Sequence, residues 1–410
     1  MIVFALVFVG VLPGLRPSKP KAATLEFWGI QDDEEVWNGI IAAFREQYPH
    51  IMVNYRRFDD LSYEDALVNN LAAGTGPDVF VLKNSWIVKH RDKIYPLPQI
   101  VFKFTDRDFQ RTFVDVASAD LISSEKYILG LPLFVDTLAL FYNKDIFNTE
   151  GVAQPPQEWN EVVSVSQKLT KKAAAGDIAK SGMALGGAKN IENLMEILSA
   201  LILQRGDPII DSRSEEVKLE SGGFGAFEFY TSFADPTKPS FFWSERLPNS
   251  LDALAEGKAA MALGFARDVS RMAAKNPHLD LGIAPLPQLK DSQRPITFGS
   301  YFALTVSRLS KNPNEAWQFI VFATLGESTK KYLEETNRPA ARRDLVAAGS
   351  PTTELDVFYK QSLQAKSWPV PDERAARRIF QDAVESIVTK SMDTDQAVSR
   401  LGEQLSQLQP

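Results

Sequence analysis

Three histidines, His50, His90 and His278, and no cysteine set the limits on what this chain can do chemically. Without cysteine there is no thiolate nucleophile, no disulfide and no sulfur-ligated metal. The histidines are scattered and form no HExxH pair, and no Gly-x-Ser-x-Gly elbow occurs. The carboxylate pairs Asp32/Asp33 and Glu34/Glu35 are adjacent. They open an expected helix, where neighbours do not face one another and the helix dipole favours acids anyway. Gly182 to Lys189 has the outline of a phosphate-binding loop but lacks the adjacent Gly-Lys-Ser/Thr, and Gly222 to Phe227 is an incomplete dinucleotide fingerprint. No catalytic residue, cofactor or metal is therefore expected. What remains are polar and aromatic side chains at strand ends, Gln31 and Asp32 after one strand and Lys83, Asn84, Ser85 and Trp86 after another. Ligands bind at such ends in open α/β sheets. Trp86 suits either ring stacking or the core.

The elements that would position these groups follow from periodicity. Thr24–Gly29 is a short strand, and a helix is expected over Asp33–Tyr48, with Val36, Trp37, Ile40, Ile41, Phe44 and Tyr48 on one stripe. Ile51–Phe58 alternates like a strand; a helix from Ser62 to a Gly74 cap and a strand Val79–Leu82 follow. Strand–helix–strand–helix–strand predicts an α/β domain with parallel strands. Gly130–Phe147 (GLPLFVDTLALFYNKDIF) opens with a Gly-Leu-Pro turn, runs into an apolar strand buried on both faces with one acid, Asp136, and closes on Tyr142-Asn143-Lys144-Asp145; it is expected to be the first crossing between two lobes. Further on, helices are expected at Leu194–Gln204, Asn314–Leu325, Arg374–Lys390 and Thr394–Leu408, with apolar strands near Met261–Gly264 and Leu281–Pro287.

At 410 residues the chain is too long for one core, so two domains are expected. A net charge of −7 argues against a nucleic-acid binder but leaves room for a local basic patch. Met1–Leu15 carries no charge and is followed by Arg16, Lys19, Lys21 and Ala22-Ala23, which suggests export through an N-terminal hydrophobic element. As a helix it would span about 22 Å, short of the roughly 30 Å hydrocarbon core. Cleavage and retention as a membrane anchor both stay open.

Several motifs in order carry a resemblance: Phe27-Trp28 with the helix after it, Ala72-Ala73-Gly74-Thr75-Gly76-Pro77-Asp78, Gly130-Leu131-Pro132 through Tyr142-Asn143-Lys144-Asp145, Glu256-Gly257-Lys258-Ala259-Ala260-Met261, Leu281-Gly282 to Pro287, and Arg338-Pro339-Ala340-Ala341-Arg342. Over about 25–408 the chain resembles the extracellular solute-binding proteins, family 1, of ABC importers, the group of the maltose-binding protein. The resemblance implies an α/β, two-lobe periplasmic-binding-protein-like fold of type II, with several hinge crossings and a cleft between lobes. One lobe would be 24–135 plus 290–342, the other 136–289 plus 343–410, after an N-terminal segment 1–23. It implies an extracytoplasmic monomer that captures a small solute, a sugar or oligosaccharide, and delivers it to an ABC permease. The family's ligand positions match Gln31, Asp32, Lys83, Asn84, Ser85, Trp86, Asp136, Lys189 and Asn190 within Ala188–Asn193, Arg267, Asp268, Tyr301, Arg374, Arg377 and Arg378. Asp136 would touch the ligand or serve as a structural cap. Acids and amides suit sugar hydroxyls, and aromatic faces suit sugar rings. The chain departs from the sugar pattern in placing Arg267, Arg374, Arg377 and Arg378 where aromatics are often found, which suits a phosphorylated or acidic solute. For Arg377 and Arg378 a solvated helix face is the plain alternative. A sensory binding protein not coupled to transport fits the same residues.

Overall fold

The computed structural model describes residues 21–173, 176–210, 217–219, 221–290 and 292–408. The hydrophobic stretch expected over Met1–Leu15 lies outside the described residues, and of the N-terminal segment 1–23 only 21–23 are described. No helix among the described residues is long and apolar enough to cross a membrane.

The strands in chain order are β1 (Ala23–Ile30), β2 (Ile51–Phe58), β3 (Val79–Lys83), β4 (Leu131–Pro132), β5 (Asp136–Thr137), β6 (Ala139–Asn143), β7 (Lys171–Lys172), β8 (Ile178–Lys180), β9 (Met261–Gly264), β10 (Leu281–Ala284), β11 (Thr297–Ser300), β12 (Phe302–Val306) and β13 (Ala365–Lys366). The first sheet has the order β2-β1-β3-β12-β4. β1 runs parallel to β2 and β3, as the strand–helix–strand pattern predicts. β12 enters antiparallel between β3 and β4. The helices Glu34–Gln47 and Asp60–Ala73 make the two crossovers. The second helix ends at Gly74, whose φ of 71° is the left-handed cap that ends a helix without steric cost. Phe27 from β1 packs edge-on to Trp37 at 4.6 Å, and Phe44 meets Phe319 at 5.2 Å, so helix Pro313–Leu325 seals the same core.

The second sheet, β10-β6-β9, is antiparallel. Gly282 of β10 stands opposite Tyr142 of β6, and a Cβ at 282 would meet the tyrosine ring at 2.2 Å. Glycine is required there by close approach. Helices Leu194–Gln204, Ser221–Ser232 and Glu373–Val388 pack together, with Phe227 and Phe380 at 5.9 Å, and the first of them contacts β11.

Gly130–Phe147 is where the structure differs most from the single strand that its sequence predicts. The run is buried from Gly130 to Phe141, but it is broken into β4, β5 and β6, which belong to three different sheets. β4 closes the first sheet, β6 is central in the second, and β5 joins the small third sheet β13-β11-β5. Burial on both faces is the same for one long strand and for three short ones in succession, so apolarity could not distinguish them. In this third sheet three passages of the chain lie side by side. β5 leads from the first sheet to the second and β11 leads back. β13 leads from helix Ser328–Thr336, which packs on helix Glu34–Gln47, to helix Glu373–Val388. Each pairing covers two residues a side, Gly299↔Thr137 and Ser300↔Asp136, then Thr297↔Ala365 and Phe298↔Lys366.

Phe27 makes the aromatic core contacts that tie β1 to both neighbouring helices. Phe27→Ala should lower unfolding free energy by about 3–5 kcal/mol, read from the shift of a denaturant midpoint. A loss below about 1 kcal/mol would show that this cluster does not hold the first sheet to its helices.

Candidate functional site

Gln31 and Asp32 follow β1 directly. Gln31 turns the chain with a φ of 69°, and its amide donates to Asp60 at 3.2 Å. Asp32 is buried, accepts from the Tyr332 hydroxyl at 2.9 Å and pairs with Arg338 at 2.8 Å. The Arg338 guanidinium lies 4.4 Å from the centre of the Phe134 ring. Burial pushes the Asp32 carboxyl up, against the pull of Arg338 and the Tyr332 hydroxyl. Arg338 entered the sequence reading only as part of a turn. Its pairing with an aspartate some three hundred residues earlier leaves no local signal.

Asp136 stands on the crossing strand β5 and fastens it to the start of helix Ala266–Lys275. One carboxylate oxygen accepts from the backbone N–H of Thr137 and of Ala266, both at 2.8 Å, and the other accepts from Arg267 N–H at 3.2 Å. A carboxylate at a helix N-terminus is favoured by the unpaired amides and the dipole. Asp136 is 2% exposed, so of its two expected roles the cap is the one its contacts fill. Burial pushes its pKa up to about 6, despite Arg267 and the amides that lower it. Asp268 caps the same turn, accepting from Phe265 N–H at 2.9 Å. The Arg267 side chain is exposed, lies 4.1 Å from the centre of the Phe265 ring and reaches Asn193 at 3.4 Å.

Beyond β3, the turn Asn84–Trp86 meets the first residues of helix Glu373–Val388. The Glu373 carboxylate accepts from Lys83 Nζ at 2.6 Å, Ser85 Oγ at 2.6 Å, Trp86 Nε1 at 2.9 Å and Arg377 Nε at 3.0 Å. Burial pushes Glu373 up, but Lys83 and Arg377 overcome it and hold the carboxyl well below the usual carboxylate range. Arg377 also pairs with the buried Glu196. Around this centre Lys89 pairs with Asp372 at 3.2 Å, and Arg374 reaches Asp65 at 3.2 Å and the Leu61 carbonyl at 3.0 Å. The end of β3 and helix Asp60–Ala73 are thus tied to helix Glu373–Val388, which packs on helices Leu194–Gln204 and Ser221–Ser232. Glu373 and Glu196 carry no local signal in the sequence beyond lying near arginine or among apolar residues.

Other expected contact residues have different work. Tyr301 is 1% exposed and donates its hydroxyl to Asp120 at 2.8 Å, so no face is open for stacking. Asn84 donates to the same carboxylate at 3.0 Å, and Ser367 Oγ donates at 2.5 Å. Asn190 is buried: its amide donates to the Ser244 and Leu247 carbonyls, and its oxygen accepts from Trp243 Nε1 at 2.8 Å. It shapes its loop and does not reach outward. Lys189 is exposed and pairs with Glu385 at 2.5 Å. Arg378 is exposed and has no ion pair among the described residues, as expected of a solvated helix face. Two surface cavities, of about 380 Å³ beside Asn143, Lys171 and Lys180 and about 260 Å³ between the last two helices, include none of the expected contact residues.

Two outcomes follow from these carboxylates. Glu373→Gln removes the charge that Lys83 and Arg377 share, and should destabilise the protein by roughly 3 kcal/mol in denaturant titration; an unchanged midpoint would show the cluster to be energetically idle. Asp136 binds its proton more tightly folded than unfolded. Its contribution to stability is therefore present below the ordinary value of 3.8 and lost as the pH rises through about 6. The melting temperature of the parent relative to Asp136→Asn should fall from about pH 4 to about pH 7, and a flat difference would contradict the assignment.

Comparison with known proteins agrees with this architecture. A binding protein of Brucella abortus (strain 2308) is 24% identical over 283 residues, 68% of this chain and 66% of its own length, so the match spans just under two thirds of that relative. The galactooligosaccharide-binding protein of Bacillus subtilis (strain 168) is 25% identical over 394 residues, 94% of this chain and 89% of its own length. The structure of the sugar-binding protein MalE from Xanthomonas citri superposes with a TM-score of 0.78 at 20% identity, covering 94% of this chain and 97% of that one. The fold is accordingly the α/β, two-lobe type II fold, with its lobes joined by the crossings of the third sheet. The family model described as bacterial extracellular solute-binding protein matches residues 29–329, and the chain belongs to that family.

Proposed function

We propose that this protein is the extracytoplasmic solute-binding component of an ABC importer, and that it captures a neutral sugar or oligosaccharide between two closing lobes and presents it to a membrane permease. The lobes are taken as 24–135 plus 290–342 and 136–289 plus 343–410. Family membership and the sugar-binding relatives support the class of solute. The observation that carries the choice of a neutral solute is the state of the arginines. Arg377 is held by Glu196 and Glu373, Arg374 by Asp65, and Arg338 by Asp32. An anionic solute would have to compete with these carboxylates for the guanidinium of Arg338, Arg374 or Arg377, leaving it only the exposed Arg267 and Arg378. A neutral polyol needs only hydrogen-bonding groups and an aromatic face, and Gln31, Asn193, Arg267 and the half-buried Trp86 supply them.

Closing follows from differential contact. A solute touching both lobes favours the closed arrangement by the contacts it makes only there. The bridge from Lys83, Ser85 and Trp86 to Glu373 already joins the two sides, so the solute adds to an existing bias.

A thermal-shift screen over sugars, oligosaccharides, sugar phosphates and amino acids tests this reading. A ligand at one hundred times its dissociation constant adds about 2.7 kcal/mol. Neutral sugars should raise the melting temperature, and Trp86→Ala should weaken the hit about tenfold or more. Stabilisation by sugar phosphates alone would replace the neutral solute with an acidic one. Uptake of the hit that persists without the chain would favour a sensory role.

A further inference from the structure

The ends of the first sheet differ sharply. The carboxyl ends of β1 and β3 carry Gln31, Asp32 and Lys83–Trp86. The opposite end holds the starts of β1, β2 and β3 and, because β12 is antiparallel, the segment after Val306. Ile94 bridges Ser307 there, Leu97 N–H donates to the Ile128 carbonyl, and the Gln99 amide donates to the Lys126 carbonyl at 2.6 Å. The short helix Gln99–Phe102 and the turn through Lys126 and Tyr127 therefore sit together at this end.

Large apolar side chains stand out in solvent here. Ile100 is 94% exposed, Val101 and Leu309 63% each, and Tyr127 53%. Single exposed apolar residues are ordinary, but four at one end of one sheet are not. Cations flank them. Lys103, Lys126 and Lys311 are exposed and have no ion-pair partner among the described residues. The acids Asp92 and Glu125 at this end are already paired with Lys93 and Arg91, while Asp108 caps the start of helix Asp106–Thr112. This basic cluster stands out in a chain of net charge −7. The described chain also begins here: Lys21 Nζ donates to Asn312 at 3.0 Å, and Ala23 N–H to the His50 carbonyl at 3.0 Å. The uncharged Met1–Leu15 stretch lies only a few residues upstream.

We propose that this end of the first sheet is a membrane-contact face that rests on an anionic bilayer surface, with Ile100, Val101, Tyr127 and Leu309 entering the interface and Lys103, Lys126 and Lys311 meeting lipid phosphates. Apolar burial and attraction to anionic lipid act together in such contacts. In this posture Gln31 and Lys83–Trp86 point away from the membrane, open to solute, and presenting the solute to a permease requires the chain to leave it. The inference rests on the extracytoplasmic placement proposed above but not on the identity of the solute.

The absence of cysteine makes the test direct. Ile100→Cys and, as a control, Arg246→Cys in the full chain each take one environment-sensitive nitrobenzoxadiazole label. The labelled proteins are mixed with vesicles of phosphatidylcholine containing phosphatidylglycerol, with and without brominated acyl chains. The label at 100 should shift to the blue and be quenched by brominated lipid, while the label at 246 stays as in water. A label at 100 that stays water-exposed overturns the proposal, whether the chain remains in solution or binds through its N-terminus alone. Equal quenching in phosphatidylcholine alone overturns the part given to the lysines. A blue shift that appears without lipid as protein concentration rises assigns the face to a second copy and overturns it too. Sugar-induced thermal stabilisation of the same variants reports separately on the solute reading.

Discussion

A carboxylate removed from water must find its donors in the protein, and Glu373 takes them from both sides of the molecule. Lys83, Ser85 and Trp86 come from the end of a strand in the first sheet, and Arg377 comes from the next turn of the glutamate's own helix. Leaving such a charge uncompensated is severely unfavourable, so the four donors and the acid are held as one unit. Everything attached to them is held as well, including the Asn84–Trp86 turn, the start of helix Glu373–Val388 and, through Arg377, the buried Glu196. This small polar group adds a directional tie to the continuous apolar core that both sheets share. A solute entering beside Trp86 would meet polar groups already oriented by one another, which lowers the ordering needed on binding.

The crossings add a complementary property. Three strands pass side by side between the lobes, yet each pairing is only two residues long. So few ladder bonds resist bending weakly, while three tethers lying side by side restrict the direction of the bend. Asp136 joins one of them to helix Ala266–Lys275 through two backbone amides, of Ala266 and Arg267, so a change in β5 is passed directly to the helix that carries Arg267. A hinge built this way moves elements as bodies, the usual manner of domain closure.

Much of this was legible in the chain. The β1–helix–β2–helix–β3 unit follows from alternation, stripe and cap, and the parallel pairing follows from the connection. Gly130–Phe147 was legible as buried but not as three strands, because burial on both faces does not specify which sheet covers each face. The polar residues at the strand ends were legible by type, and their partners were not. Lys83 and Glu373 are 290 positions apart, and nothing near either one announces the other. Tyr301 and Asn190 have the side chains of ligand contacts, but a tyrosine hydroxyl or an amide satisfies a buried carboxylate or carbonyl just as well. Only packing decides between the two uses.

The polarity of the first sheet connects the two surfaces argued for above. At its carboxyl end the cations Lys83, Arg374, Arg377 and Arg338 are each matched to an acid, so what the end offers a visitor is hydrogen-bonding geometry with little net charge. At its amino end Lys103, Lys126 and Lys311 stand unpaired beside exposed apolar side chains, so what that end offers is attraction to an extended anionic surface. An overall negative charge conceals this difference, since a sum over the chain says nothing about where opposite charges meet. Matched charges leave one end with hydrogen-bonding geometry and little net charge. Unmatched ones, placed where the chain approaches its hydrophobic terminus, make the other end adhesive, and the parallel strands between them keep the two at opposite ends of the same sheet.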